Sequence, residues 1–114
     1  MQRWLLKSKL HRARVTGTDK DYEGSIAVDP ALLAEADIAV GERVQVLNVD
    51  NGERFHTYTI EGEPGQVEVN GAAARLAEPG DAVIVIAYGL YAEDEAAEPT
   101  ILVLDEDNQV AERK

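Results

Sequence analysis

The sequence predicts a mainly β domain folded as a small closed β-barrel with one or two short helices. About six short stretches of apolar or alternating residues recur along the chain, separated by turn signals such as Asn51-Gly52, Glu63-Pro64-Gly65 and Pro79-Gly80-Asp81. Only one stretch has helical spacing. In addition, Gly41-Glu42-Arg43-Val44-Gln45-Val46 echoes Gly80-Asp81-Ala82-Val83-Ile84-Val85. Duplication in a pseudo-symmetric barrel would leave such an echo, and so would the frequency of these residues in β proteins. At 114 residues the chain forms a single domain, 1–114, near the size at which an oligomer interface helps considerably.

The elements follow in order. Lys9 to Thr16 alternates as a strand, with Lys9, His11, Ala13 and Val15 expected on one face and Leu10, Arg12 and Arg14 on the other. Asp19-Lys20-Asp21 reads as a turn and Ser25 to Val28 as a short strand. Asp29 caps a helix that Pro30 opens, with Leu32, Leu33 and Ala36 as its apolar stripe and Gly41 beyond its end. Val44 to Val49 and Arg54 to Ile60 form a hairpin in which Asn51-Gly52 supplies positive φ. Arg54, His56, Tyr58 and Ile60 share one face of its return strand; Phe55, Thr57 and Thr59 share the other. Val67 to Val69 is a strand, and Asn70 to Ala74 a loop that opens a helical turn. Val83 to Ala87 is a strand buried on both faces, and Ile101 to Leu104 the last strand. Residues 105–114 read as a polar, mobile tail.

Composition narrows the function. With 22 acidic and 11 basic residues the net charge is −11, which repels nucleic acid and anionic membrane. No apolar run approaches the ~20 residues that a membrane span needs, and Met1-Gln2-Arg3-Trp4 does not open a recognisable signal peptide. No nucleic-acid or membrane partner is expected. The chain has no cysteine and two histidines, which leaves no thiolate or histidine metal site and fits a cytoplasmic setting.

The stretch with chemical potential is Tyr22-Glu23-Gly24-Ser25. A Gly-Ser pair ordinarily marks a turn. It is also the pair an autocatalytic cleavage needs: the Ser25 hydroxyl attacks the unhindered Gly24 carbonyl, in a backbone held away from its resting geometry, to form an ester. Elimination leaves dehydroalanine, and hydrolysis with loss of ammonia leaves a pyruvoyl group at the head of the larger fragment.

Lys9-Leu10-His11-Arg12, Tyr22-Glu23-Gly24-Ser25, Asn51-Gly52, Arg54, Thr57-Tyr58 and Asn70-Gly71-Ala72-Ala73-Ala74 together resemble the pyruvoyl-dependent aspartate 1-decarboxylases, in order and nearly in spacing over about the first three quarters of the chain. The resemblance implies a double-psi β-barrel, a homotetramer with sites between subunits, and a proenzyme that cuts itself between Gly24 and Ser25 into 1–24 and 25–114. It implies a pyruvoyl cofactor made from Ser25, which forms a Schiff base with L-aspartate and accepts the electrons released with CO2. The product would be β-alanine, for pantothenate and coenzyme A.

Roles follow residue by residue. Arg54 alone is a solvated charge; a forked cation also suits a dicarboxylate, and the resemblance makes it the substrate anchor, with Lys9 near the substrate carboxylate. Tyr58 is assigned the proton donor to carbon after CO2 departs. Thr57 is assigned to fix the Gly24 carbonyl during cleavage and later to touch substrate. Gly71, Ala72 and Ala73 are expected to contact substrate through small side chains and backbone N–H groups, and Asn70 to hydrogen-bond the cleaving peptide or the pyruvoyl carbonyl. His11 and Tyr22 divide between structural and supporting roles. Thr57 and Tyr58 alternate, so a bulge or a subunit boundary is needed for both to serve one site. A dianionic substrate approaching so acidic a protein implies salt-dependent rates. Two other readings stand beside this one: a processing-deficient barrel that binds small molecules or partners, and a decarboxylase of another acidic amino acid such as glutamate.

Overall fold

A computed structural model describes residues 1–114. Its strands are β1 (Gln2–Arg14), β2 (Gly17–Asp19), β3 (Ser25–Val28), β4 (Arg43–Asn48), β5 (Arg54–Glu61), β6 (Val67–Asn70), β7 (Ala82–Ala92), β8 (Thr100–Leu104) and β9 (Val110–Arg113). One α-helix, α1 (Pro30–Ala36), and one 3-10 helix, Gly71–Leu76, complete the fold. The strands hydrogen-bond in the order β2-β6-β3-β5-β4-β7-β1-β8-β9. Only Val15 and Thr16 link β1 to β2, although these strands lie far apart in that order. Three Cα steps reach at most about 11 Å, so the sheet has to curl back on itself. Val15 N donates to Asp81 O at 2.9 Å, just before β7, and the next residue's N, Thr16 N, donates to Val67 O on β6 at 2.8 Å, so adjacent residues join the two regions across the curl. This mainly β, curled architecture fits the double-psi barrel.

Alternation fills the interior. Val44 and Val46 of β4, Val67 and Val69 of β6, and Val83 and Val85 of β7 are all buried in one core with Leu10, Ile26 and Leu102. α1 closes an end through Leu32, Leu33 and Ala36. Asp29 caps it, Oδ1 accepting from Ala31 N at 2.9 Å, as the sequence implies. The left-handed residue that ends it is Asp37, φ 59°, rather than the more distant Gly41. In the hairpin, Gly52 alone of the Asn-Gly pair takes positive φ.

Two bulges in β1 overturn the simple alternation expected there. Leu6 and Ser8 pair with the adjacent Tyr88 and Ala87, and Leu10 and Ala13 pair with Val85 and Val83, so β1 carries one extra residue at each place. Each bulge switches which residues face inward. Ser8 and Leu10 are buried before the second bulge, and Ala13 and Val15 after it. Lys9 and His11 therefore do not share a face with Ala13 and Val15. Arg12 takes the left-handed conformation at that bulge, φ 66°.

β1 and β7 are both longer than the sequence suggests and run out together as a two-stranded arm pairing Gln2–Leu6 with Tyr88–Ala92. The segment 105–114 is polar but holds a strand, β9, antiparallel to β8. Ile101 to Leu104 is thus not the last strand. Asn108, 1% exposed, fixes the turn: its Oδ1 accepts from Arg14 N at 2.6 Å, and its Nδ2 donates to Arg14 O and Gly65 O, each at 2.9 Å. No helix is long and apolar enough to cross a membrane.

Candidate active site

Ser25 opens β3 and is 1% exposed. Its Oγ donates to Glu23 O at 2.9 Å and accepts from Asn70 Nδ2 at 3.2 Å. Antiparallel pairing of β3 with β6 sets Ser25 opposite Asn70, which brings the amide to the hydroxyl. Asn70 is itself 1% exposed, and its Oδ1 is buried without a partner. Gly71, the next residue, packs its backbone against Gly24. Gly24 lies outside the left-handed region, so its φ shows no departure from ordinary geometry. A Cβ at 24 would meet nothing within 4 Å, so the space beside its Cα is open and packing alone does not demand glycine there. Gly24 and Tyr22 are exposed, and the hydroxyl beside them is buried.

The parallel β3–β5 register pairs Ile26 with Thr59. Continued backward, it sets Ser25 level with Tyr58 and Gly24 level with Thr57. Strand alternation then gives Tyr58 the face of Ser25, whereas Thr57 lies on the opposite face with buried Thr59. The two cannot serve one side of the sheet within one chain, as their alternation implies. Tyr58 is 40% exposed.

Lys9 belongs to a cross-strand row, Lys9–Ile86–Gln45–His56, on the outer face. Arg54 shares that face and lies opposite Leu47. Three strand spacings separate the backbones of β1 and β5, about 14 Å. Lys9 and Arg54 are thus placed on one face but apart, and neither makes a hydrogen bond to the Ser25 cluster. His11 is half-buried, and its pKa is lowered from 6.5 by burial first and then by the charges of Lys9, Arg12 and Lys114, which favours the neutral imidazole. Ala72 is exposed, and Ala73 packs against the core.

Of two surface cavities, the larger, about 570 Å³, lies along Trp4, Val44, Gln45, His56 and Tyr88 and excludes the Ser25 cluster. The smaller, about 420 Å³, is bounded by Thr18–Asp21, Ala74 and Arg75, beside the segment leading to Gly24. Two contributors to the site escape sequence reasoning. The Glu23 carbonyl is a backbone acceptor with no side-chain signature. The Gly71–Gly24 contact had only the glycine after Asn70 as its trace.

Fold and site define a small barrel protein with a buried serine, asparagine and glycine cluster at the start of one strand. Its sequence relatives narrow this further. A family model described as aspartate decarboxylase matches residues 1–111. The aspartate 1-decarboxylase of Haloquadratum walsbyi is 75% identical over 114 residues, 100% of both chains. That of Kosmotoga olearia is 51% identical over 99% of this chain and 100% of its own, and that of Bacillus thuringiensis 50% identical over 98% and 91%. The chain belongs to the aspartate decarboxylase family.

Proposed function

We propose that the chain cuts itself between Gly24 and Ser25 and then decarboxylates L-aspartate to β-alanine and CO2. The observation that carries this is the buried Ser25 hydroxyl, held between Glu23 O and Asn70 Nδ2 beside the Gly24–Ser25 peptide bond. Attack of Oγ on the Gly24 carbonyl forms the C–O bond of an ester and breaks the C–N bond, with the hydroxyl proton passing to nitrogen. Loss of the Ser25 Cα proton with expulsion of the Gly24 carboxylate then breaks the Cβ–O bond. Water replaces nitrogen at Cα, releasing ammonia and leaving a ketone. Thr57, level with Gly24, helps to fix that carbonyl.

The residues fit a pyruvoyl group at position 25. Asn70 Nδ2, which donates to the Ser25 hydroxyl, is placed to donate instead to a carbonyl oxygen formed at that residue. Once formed, the group supplies a ketone that condenses with the substrate amine and an adjacent amide that accepts electrons as CO2 leaves. The chain's own side chains do the rest. Arg54 binds a carboxylate by its fork, with Lys9 as a second cation, and the phenol of Tyr58 delivers a proton to carbon. Gly71, Ala72 and Ala73 line the substrate's approach; His11 and Tyr22 support it.

The separation of Lys9 from Arg54, and the opposite faces of Thr57 and Tyr58, are reasons to place the site between subunits of a homotetramer. Exposed Trp4 (70%), Leu90 (46%) and Tyr88 (43%) supply an apolar surface for such contacts. In the cytoplasm the β-alanine would feed pantothenate and coenzyme A synthesis. The test is Ser25→Ala, expected to stay whole, folded and inactive beside a cut wild type that releases β-alanine from L-aspartate in preference to decarboxylating L-glutamate. An active Ser25→Ala chain would refute the reading.

A further inference from the structure

We propose that Gly71 is a positioning residue for the self-cleavage, holding the Gly24–Ser25 peptide in register with the Ser25 hydroxyl by direct backbone contact; the proposal rests on the self-cleavage reading above. Five glycines take positive φ: Gly41, Gly52, Gly65, Gly71 and Gly80. Such a φ suits glycine wherever it occurs. Only at Gly71 does the surrounding structure impose a second demand. A Cβ added at Gly41, Gly52 or Gly80 meets nothing within 4 Å, and at Gly65 only Asp107 O at 3.7 Å. At Gly71 it would lie 2.6 Å from Gly24 Cα, 2.8 Å from Gly24 N and 3.4 Å from Tyr22 O. Real Cβ contacts essentially never fall below 3.0 Å, and all three atoms are backbone, which cannot swing aside as a side-chain end would.

Gly71 follows Asn70, whose amide holds the Ser25 hydroxyl. Residues 70 and 71 therefore grip the two reactants together, one through a hydrogen bond to the nucleophile and the other through contact with the residue that bears the carbonyl. A side chain at 71 would push Gly24 aside while Asn70 still held Ser25 Oγ. Displacing reacting groups by about 1 Å can cost about 100-fold in rate.

The test uses a matched pair of substitutions. Gly52 and Gly71 share φ +76°, so an asparagine, which tolerates positive φ best after glycine, meets the same backbone demand at both positions and a clash only at 71. Full-length wild type, Gly52→Asn and Gly71→Asn are purified uncut or early in processing. Cleavage is followed by intact mass well below each protein's melting temperature, with circular dichroism to establish folding. Gly52→Asn should cut at the wild-type rate, and folded Gly71→Asn about 100-fold more slowly. A wild type and a Gly71→Asn that cut equally fast would overturn the proposal and leave the self-cleavage reading standing. A Gly71→Asn chain that fails to fold while Gly52→Asn folds would also overturn it, because Gly71 would then serve the whole fold. A wild type that never cuts would overturn both.

Discussion

A serine becomes a candidate nucleophile here because of what surrounds it at the scale of single residues. Burial removes competing water, and Asn70 and Glu23 O fix the hydroxyl on either side. Making the site and using it depend on different residues. Tyr58 is exposed and makes no hydrogen bond to Ser25, so Tyr58→Phe should cut at an ordinary rate yet release β-alanine about 100-fold or more slowly, the range for losing a general acid. A mass time course and a product assay on the same sample would read the two effects separately. His11 offers a pH test. Burial and then Lys9, Arg12 and Lys114 lower its folded pKa below the usual 6.5, so folding favours the neutral ring. The stability this confers is fully present above about 6.5 and is lost as pH falls through the folded pKa. The stability difference between wild type and His11→Gln, from urea midpoints, should therefore shift against wild type between about pH 7.5 and about pH 5. A difference that does not change with pH would contradict the assignment.

Elements differ in how plainly the sequence announces them. β3 to β6 and α1 are legible because each carries a local signal: the Asp29 cap with Pro30, the Asn51-Gly52 turn, and the alternation of Val44 to Val49 against Arg54 to Ile60. The bulges of β1 leave no such trace. Arg12 in a left-handed conformation is chosen by pairing with β7, not by its own preference, and the faces of Lys9 and Ala13 cannot be derived without it. β9 was hidden for a related reason: Val110-Ala111-Glu112-Arg113 is short, half charged and without alternation, and forms a strand because β8 offers an edge and Asn108 turns the chain back toward it. In the site, Ser25, Gly24 and Asn70 were legible, with a hydrogen bond expected from Asn70 to the cleaving peptide, but the backbone contact of Gly71 with Gly24 was not. Asn108→Gly keeps the left-handed backbone at φ 59° and removes three hydrogen bonds in a buried setting. It should lower stability by about 2–3 kcal/mol in chemical denaturation. A loss below about 0.5 kcal/mol would mean that the tail adds little to the barrel.

For the whole molecule, curling of the sheet brings sequence-distant segments to one place: the 19–25 segment, the start of the 3-10 helix and the middle of β5 meet where β3 lies between β6 and β5. Lys9 and Arg54 remain on the outer face of β1, β7, β4 and β5, a surface with the apolar arm of Trp4, Tyr88 and Leu90 at one end. A net charge of −11 leaves such cations as local exceptions in a repelling field. The central claim is that this barrel makes its own reactive group from residue 25, and the mass of the purified protein under denaturing conditions tests it most directly. The account predicts two fragments, 1–24 and 25–114, the larger carrying a ketone in place of its amine and reacting with a hydrazine. A single chain, still serine at 25 and unchanged after prolonged warming, would contradict it.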